Sequence, residues 1–310
     1  MEFDNPTQHS IANLTALERR VSGVVPPRQA LYLASQLISH GHRSAQPMID
    51  LLRGYARHRD VISHVEMLER CNRNLRRHYQ LENLPGNQRE GFYKRDGFIF
   101  IEKRSGSPRL LVIFATMFNN FHFSHAAMVS LLARLDCNLL ILKDSTLFNY
   151  HKGVARFADS LPEIGPAITR LARQHGIEKI YITGFSSCGY AALYTSLNSL
   201  CHGYLGFSQP IDMHGDSPLE PPLYFTPDVR AAVDQTYLTD LKEQLRDAGS
   251  AVPRTFVYGE RNEHDSRHAR HIASLPDLKV IALPDTSHST VEYLNQDDRL
   301  LDLFKRLIAD

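Results

Sequence analysis

The 310-residue sequence has little net charge, few cysteines and no long uncharged apolar run. It contains 35 lysines and arginines and 34 aspartates and glutamates, so its formal net charge is +1. We therefore do not expect nucleic acid as a partner, because binding it requires a concentrated basic surface. We also do not expect a membrane as a partner, because an anionic membrane surface requires the same basic surface and a membrane span requires roughly 20 apolar residues in a row. The first residues, MEFDNPTQHS, lack the basic and apolar stretches of a signal peptide, so we expect a cytoplasmic protein.

The sequence also lacks the usual metal-binding spacings. Its cysteines are Cys71, Cys137, Cys188 and Cys201, and none of them form a CxxC pair. We expect reduced, mostly buried thiols. The 16 histidines include no HExxH or similar helical pair. We therefore expect no metal ion and no other cofactor.

The first 85 residues have the pattern of helices. Apolar residues recur at helical spacing in PPRQALYLASQLISHG (26–41), PMIDLLRGYARH (47–58) and VISHVEMLERCNRNLRRHY (61–79). We predict an N-terminal helical extension over residues 1–85. Two interpretations remain open: the extension packs on the main domain, or it mediates homo-oligomerisation or partner docking.

Residues 89–310 alternate between strand and helix patterns. GFYKRDGFIFIEK (91–103) is typical of a hairpin with Asp96-Gly97 at its turn. The alternation predicts an α/β fold with a mostly parallel sheet and helices on both faces. The proline-rich segment at about 208–250 is predicted to form a cap over the carboxyl edge of the sheet. Further strands are predicted at 109–115, 139–143, 179–183, 203–207, 254–259 and 279–283, and helices at 123–135, within 157–176, at 191–200, 266–275 and 290–308.

The stretch YITGFSSCGYAAL (181–193) runs from a strand through a turn of small residues into a helix. A nucleophile at such a turn requires small residues two positions before and two after it. Ser186 satisfies this best, with Gly184 and Cys188 at those positions. With Ser187 as the nucleophile, the bulky Phe185 would stand two positions before it. With Cys188 as the nucleophile, Tyr190 would stand two positions after it, so both are less favoured alternatives. Cys188 is interpreted as a small substitute for glycine.

Serine is a weak nucleophile at neutral pH and needs a base that is oriented by an acid. His288 follows the last predicted strand, at the same sheet edge as Ser186. Asp265 follows the preceding strand and is the favoured acid, with Glu263 and Glu260 as alternatives. Asp265 has a second interpretation, as a cap of the helix that follows it.

With these residues and this order of strands and helices, the sequence resembles the α/β-hydrolase superfamily over about residues 89–310. It is also similar to bacterial α/β hydrolases found among polysaccharide and glycosyltransferase genes. That group carries a GxSSGGYAAL-type elbow, an FxGM-like loop, an RD…WY…G loop and a final NxxDxxHA…H region. The corresponding segments here are GFSSCGYAAL, FATMFNN (114–120), KDSTLFNYHKG (143–153) and NEHDSRHA followed by His288. Cys188 and Thr116 stand where that group has glycine, and Phe148-Asn149 stands near its tryptophan.

The resemblance implies a serine esterase or thioesterase (EC 3.1) with a Ser186–His288–Asp265 triad. Backbone N–H groups of Ser187 and Met117 are the predicted oxyanion donors. The small-molecule substrate is expected to be an acyl ester or thioester, with a carbohydrate-linked ester as one option. Polar residues in the loops at the site edge are predicted to bind substrate, unless they are merely solvated loop residues: Asn119, Asn120, Asp144 and Tyr150, with His122 and Asn149 beside them.

Two other functions fit the same residues. The chain could be an acyltransferase that uses the same triad with an acceptor other than water. It could also be a non-catalytic member of the fold that binds a partner through its N-terminal helices. In the cap, Tyr224-Phe225 is predicted either to line an acyl pocket or to pack within the cap.

Overall fold

Short runs of apolar residues build a central sheet. The strands β2, β3 and β4 have the sequences RLLVIF, NLLILK and KIYITGF, and nearly all of their residues are buried. Such runs suit strands that are covered on both faces. The strands are β1 Gly97–Ile101, β2 Arg109–Phe114, β3 Asn138–Lys143, β4 Lys179–Phe185, β5 Gly203–Phe207, β6 Arg254–Gly259 and β7 Leu278–Leu283.

The seven strands lie in the order β1-β3-β2-β4-β5-β6-β7. β1 runs antiparallel to β3, and all other neighbours are parallel. The register pairs Phe114 with Gly184, and Phe185 with Phe207. The carboxyl ends of β2, β4 and β5 therefore meet at one edge of the sheet. The predicted mostly parallel sheet is confirmed.

The computed structural model describes residues 46, 49–50, 53, 59–78, 97–103, 106–144, 146, 148–219, 222, 225–284 and 286–309. Within these residues, helices connect most of the strands. None of the described helices is both long enough and apolar enough to cross a membrane. The α-helices are α1 Arg59–His78, α2 His125–Leu132, α3 Leu161–Gln174, α4 Gly189–Leu197, α5 Pro227–Ala231, α6 Lys242–Ala248, α7 Glu263–Ile272, α8 Thr290–Leu294 and α9 Arg299–Ala309.

The chain divides into two compact units. One consists of Met1–Tyr93, His122–Arg134 and Val291–Asp302, and the other holds the rest of the chain, including the sheet. In the first unit, the Asn74 side-chain amide donates to Asn295 Oδ1 at 3.3 Å and to the Asp297 carbonyl at 2.8 Å. Helix α1 is thus fixed to a segment from the C-terminal part of the sequence. The predicted boundary near residue 85 lies outside the described residues.

The helix predicted over 61–79 is confirmed as α1, while those over 26–41 and most of 47–58 lie outside the described residues. In the predicted hairpin only β1 is described, and it pairs with β3.

The single helix predicted over 290–308 is wrong, because α8 and α9 are separate. The Asp297 side chain accepts the Arg299 N–H at 3.0 Å, and the Asp298 carbonyl accepts the Asp302 N–H at 2.8 Å. Side chains of this type bond to nearby backbone groups and favour a helix start over a helix interior. A new helix therefore begins here.

Candidate active site

The turn after β4 holds Ser186 in a strained backbone conformation. Ser186 has φ of +55°, in the left-handed region that L-residues rarely adopt. A short 3₁₀ turn, Ser186–Cys188, then leads directly into α4. Ser186 is partly accessible, whereas Ser187 is 5% exposed and Cys188 is fully buried. The turn therefore presents the Ser186 hydroxyl at the carboxyl edge of the sheet, and such strain is common at functional sites.

Gly184 and Cys188 flank this turn as close-packed residues. A Cβ on Gly184 would lie 2.6 Å from the Ala192 Cβ, so only glycine fits there. The Cys188 thiol donates to the Phe114 carbonyl at 2.8 Å and lies 3.0 Å from the Phe185 carbonyl. Burial raises the pKa of Cys188 to about 12. Because a thiol that is buried and protonated is a poor nucleophile, Cys188 is a structural residue of the turn.

His288 joins the Ser186 turn to an acidic residue. Its Nε2 atom lies 2.7 Å from Ser186 Oγ. Its Nδ1 atom lies 2.9 Å from Asp265 Oδ2 and 3.1 Å from Asp265 Oδ1. The Nδ1–H donates to the carboxylate, which leaves the Nε2 lone pair free to accept the Ser186 proton. The structure thus brings together the three side chains that the sequence singled out.

Asp265 lies at the start of α7 and is 3% exposed. Burial raises its pKa, but the nearby polar groups of His264, His288 and Ser208, together with the positive charge that His288 can carry, outweigh burial and lower the pKa to about 2. The helix cap is Asn262, whose side chain accepts the Asp265 N–H at 3.0 Å. The interpretation of Asp265 as the helix cap is therefore wrong, and its carboxylate is directed to His288.

The two alternative acids point elsewhere. Glu263 lies 3.2 Å from Arg267, one helical turn further along α7, on a solvent-exposed face. Glu260 is exposed at the end of β6. Among the described candidates after β6, Asp265 alone contacts the His288 imidazole through its carboxylate.

The loop after β2 places a backbone donor beside the Ser186 turn. The Met117 N–H donates to Ser187 Oγ at 3.4 Å. The loop is closed by the Thr116 N–H, which donates to the Asn120 carbonyl at 2.7 Å, and by the Thr116 hydroxyl, which lies 2.6 Å from Asn120 Oδ1. The Met117 N–H is consequently fixed toward the residue that follows Ser186, where an oxyanion donor is required.

No protein-family profile and no curated protein matches this sequence. Solved structures do match. MenH from S. aureus is 16% identical with a TM-score of 0.46, over 69% of this chain and 96% of that chain. A thermophilic esterase from Thermogutta terrifontis is 12% identical with a TM-score of 0.47, over 68% of this chain and 86% of its own.

The order of the strands and the Ser186 turn decide the fold class. A serine in the left-handed region sits between a parallel strand and a helix, and an acid and a histidine follow in that order after later strands. The chain has an α/β-hydrolase fold. The association with polysaccharide and glycosyltransferase genes stays a prediction.

Within this α/β-hydrolase fold, Asp144 and Tyr150 hold the loop after β3. The Asp144 carboxylate accepts the N–H groups of Thr146 at 2.9 Å and of Tyr150 at 2.6 Å. The Tyr150 hydroxyl lies 2.7 Å from the Ala115 carbonyl and 2.8 Å from the Leu142 carbonyl, and its side chain is fully buried. The predicted place of Tyr150 at the substrate edge is therefore wrong, because its hydroxyl ties two strand ends together in the interior.

Asn119 and Asn120 belong to the loop that carries Met117. Asn119 has φ of +55° and is 4% exposed, and its N–H donates to the Thr116 carbonyl at 2.8 Å. Asn120 is partly accessible. Both residues shape the loop that aims the Met117 N–H. Their contact with a substrate stays a prediction.

The predicted cap segment packs on α4 and on the loop after β3. The Tyr190 hydroxyl lies 2.8 Å from the Tyr237 carbonyl and 3.0 Å from the Thr239 carbonyl. Phe225 is 3% exposed, and its ring centroid lies 5.9 Å from that of His151. Phe225 thus packs in the interior, as one of the two interpretations expected, while Tyr224 lies outside the described residues.

Sequence reasoning missed Ser208, Thr290 and His264. Ser208 follows β5, has φ of +42° and is 2% exposed. Its hydroxyl lies 3.0 Å from Thr290 Oγ1. The one available signal was its position at a strand end on the functional edge.

The described residues include no group of three or more histidine, cysteine, aspartate or glutamate side chains that could hold a metal ion. The four cysteines are buried and free. The predicted burial of the cysteines is thus confirmed. Ser186, His288 and Asp265 bring a hydroxyl, an imidazole and a carboxylate to this edge of the sheet.

Proposed function

We propose that this protein is a serine hydrolase that cleaves an ester or thioester through an acyl-enzyme. The supporting observation is the continuous hydrogen-bonded line from Ser186 Oγ to His288 Nε2 and from His288 Nδ1 to Asp265. A serine hydroxyl within 2.7 Å of an imidazole nitrogen has a base in place, and the imidazole has an acid that fixes its tautomer.

The first half-reaction forms the acyl-enzyme. As Ser186 Oγ attacks the substrate carbonyl carbon, His288 Nε2 takes the hydroxyl proton. Asp265 stabilises the imidazolium, since its low pKa keeps the carboxylate ionised across the neutral range. The tetrahedral intermediate collapses when its bond to the leaving alcohol or thiol breaks, and His288 delivers its proton to that leaving group.

The second half-reaction releases the acid. His288 removes a proton from water, the hydroxide attacks the acyl carbon, and the Ser186 Oγ–acyl bond breaks as the proton returns to Ser186. In both steps a negative charge develops on the carbonyl oxygen. The Met117 N–H is the donor best placed for it, with the Ser187 N–H at the start of the helical turn as its partner. A lost oxyanion donor costs on the order of 3 kcal/mol of barrier.

A fluorophosphonate probe tests the proposal directly. We expect covalent labelling of the wild type at Ser186, no labelling of Ser186→Ala, and wild-type labelling of Ser250→Ala. Ser250 is a matched control because it is exposed and precedes β6, at the opposite end of that strand from the site. If the folded wild type stays unlabelled while a reference esterase reacts, the protein is not a serine hydrolase.

The nature of the acceptor needs a second measurement. With p-nitrophenyl esters of graded chain length, we expect free acid as the product, and the best chain length defines the acyl group. Added sugar alcohols would give acylated sugar if the enzyme were an acyltransferase. Acylated sugar as the main product would replace the hydrolase assignment with the transferase assignment.

A further inference from the structure

The Tyr150 side chain holds the point where the loop with Met117 leaves β2. Its hydroxyl lies 2.7 Å from the Ala115 carbonyl and 2.8 Å from the Leu142 carbonyl. A phenol has one proton and a carbonyl only accepts, so the Tyr150 O–H is shared between the two carbonyls. The Ala115 N–H donates to the same Leu142 carbonyl at 2.9 Å. Ala115, the first residue after β2, is therefore fixed at both its N–H and its carbonyl.

The peptide unit between Ala115 and Thr116 is held at both ends. A peptide unit is planar and trans, so its carbonyl and its N–H point in opposite directions. The carbonyl of this unit accepts from the Tyr150 hydroxyl. Its N–H, which belongs to Thr116, donates to the Asn120 carbonyl at 2.7 Å. The plane of this unit is thus set by Tyr150 on one side and by Asn120 on the other.

The next peptide unit carries the oxyanion donor. Its carbonyl, on Thr116, accepts the Asn119 N–H at 2.8 Å. Its N–H, on Met117, must therefore point away from Asn119. This N–H donates to Ser187 Oγ at 3.4 Å, beside the proposed nucleophile Ser186. Two consecutive peptide planes thus connect the Tyr150 hydroxyl to the direction of the Met117 N–H.

Tyr150 is itself firmly held. Its side chain is fully buried, and its ring centroid lies 5.0 Å from that of Phe114. Its N–H donates to Asp144 Oδ2 at 2.6 Å, and its carbonyl accepts the Gly153 N–H at 2.9 Å. Asn149 and Tyr150 have φ of +48° and +72°. Two successive left-handed residues that are not glycine cost free energy and persist only where the surroundings enforce them.

We infer that Tyr150, which Asp144 holds in place, is a positioning residue that aims the Met117 N–H at the carbonyl oxygen of the substrate. The inference rests on the proposed function, in which this N–H stabilises the charge that develops on that oxygen. Because the charge is largest in the transition state, Tyr150 affects the chemical step more than substrate binding.

Two variants separate the loop with Met117 from the general cost of a lost hydroxyl. Tyr150→Phe removes the hydroxyl and keeps the ring. Tyr190→Phe is the matched control, because Tyr190 is also buried and its hydroxyl lies 2.8 Å from the Tyr237 carbonyl and 3.0 Å from the Thr239 carbonyl. Those two carbonyls belong to the cap segment. Both variants therefore lose a buried hydroxyl that contacts two carbonyls, and only Tyr150→Phe loosens the loop.

Steady-state kinetics with a p-nitrophenyl ester are the first readout, with sites counted by fluorophosphonate labelling. In Tyr150→Phe we expect kcat per labelled site to fall roughly tenfold and KM to stay within about twofold of the wild type, because a donor that is present but misaligned is lost only in part. Tyr190→Phe should keep kcat within about threefold. A purely structural role for Tyr150 would lower the number of labelled sites and leave kcat per site unchanged.

An alkyl trifluoromethyl ketone tests the oxyanion directly. Ser186 Oγ bonds to the ketone carbon, the electron pair of the carbonyl bond moves to its oxygen, and His288 takes the hydroxyl proton. The resulting oxyanion needs the same donor as the transition state. The inhibition constant should therefore rise in Tyr150→Phe by the factor by which kcat/KM falls, and should not change in Tyr190→Phe.

A third readout requires no reaction. The chain has six methionines, so [¹⁵N]methionine labelling gives few amide signals, and Met117→Leu identifies that of Met117. This signal should move in Tyr150→Phe and stay in place in Tyr190→Phe. If Tyr150→Phe does not fold, Asp144→Asn replaces it, because it keeps the hydroxyl but weakens the acceptor of the Tyr150 N–H. It should give smaller changes of the same kind.

The outcomes distinguish the inference from the proposed function. An unreactive wild type in which Tyr150→Phe alone moves the Met117 signal would refute the proposed function and leave the positioning of this N–H standing. In an unreactive wild type, a Met117 signal that does not move would overturn both. In a reactive enzyme, a kcat per labelled site that falls equally in Tyr150→Phe and Tyr190→Phe, or in neither, would overturn the inference alone.

Discussion

Two histidines in the sheet-bearing unit, one with a side chain that is 41% exposed and one buried, differ in the hydrogen-bond partners of their rings. His288, after β7, has a partner on each ring nitrogen, with Ser186 on one side and Asp265 on the other. His151, in the loop after β3, is 7% exposed, and among the residues that the structure describes neither of its ring nitrogens has a hydrogen-bond partner. The same side chain is thus ready for proton transfer in one loop and is a packing element in the other.

The environment of His151 explains its character. Its ring stacks on Tyr190, with centroids 6.0 Å apart and an angle of 25° between the rings, and contacts Phe225 on another side. Burial lowers its pKa to about 4, against a weaker opposite effect of Asp234. A neutral imidazole among aromatic rings contributes to the stability of the fold through its buried surface area and through ring stacking. The contrast with His288 shows that the paired carboxylate and hydroxyl, and not burial alone, distinguish a candidate base.

The largest expected effect is on reactivity. His288→Gln keeps a donor for Asp265 but removes the base, so we expect the rate constant for fluorophosphonate reaction to fall roughly 10⁴-fold or more. His151→Phe should react within a few-fold of the wild type, since a phenyl ring preserves the contacts with Tyr190 and Phe225. Labelling that is quenched at a series of times and followed by intact-mass spectrometry measures the rate constants of both variants. Comparable losses in the two variants would abolish the distinction between the two histidines.

The second prediction concerns the pH dependence of stability. His151 has a folded-state pKa of about 4, below the unfolded value near 6.5, so the unfolded chain binds its proton first. The free energy of unfolding should therefore be highest above about pH 6.5 and fall as the pH drops toward 4, by roughly 3 kcal/mol from His151. His268, whose pKa burial and the nearby His264 lower to about 3, adds a loss of the same sign.

Urea denaturation at pH 7, 5.5 and 4.5 measures this effect. His151→Phe should be as stable as the wild type or more stable at pH 7, because the unpaired ring nitrogens disappear, and its stability should fall less on acidification. His214→Gln is the control, since His214 is exposed. Equal acid sensitivity of His151→Phe and the wild type would show that the His151 ring is not held neutral in the folded state.

Part of the fold and of the candidate site could be predicted from the sequence. The parallel strands and the Ser186 turn are local: apolar runs of five to seven residues form β2 to β5, and small residues mark the turn. Asp265 and His288 followed from their positions after successive strands. These features depend on strand–helix alternation, which the sequence carries directly.

Features that depend on contacts between distant segments escaped prediction. Tyr150 looked like a polar loop residue, but its hydroxyl finds the carbonyls of Ala115 and Leu142. The tie between Ser208 and Thr290 joins residues 82 positions apart in the chain. Local sequence preferences do not predict such pairs, because the pairs form only when loops from several strand ends meet in the folded protein.

The smallest expected effect is at Cys188, a third polar group beside the Ser186 turn. Cys188→Ala removes the hydrogen bonds to the Phe114 and Phe185 carbonyls and should lower the free energy of unfolding by about 1 kcal/mol. Cys188→Ser keeps a donor, and its reaction with the fluorophosphonate should stay within about threefold of the wild type. In the native protein, iodoacetamide should not modify Cys188, because the thiol is fully buried and its pKa is about 12. Complete loss of labelling at Ser186 in Cys188→Ser, with an unchanged melting temperature, would contradict the structural role and give the thiol a part in the reaction.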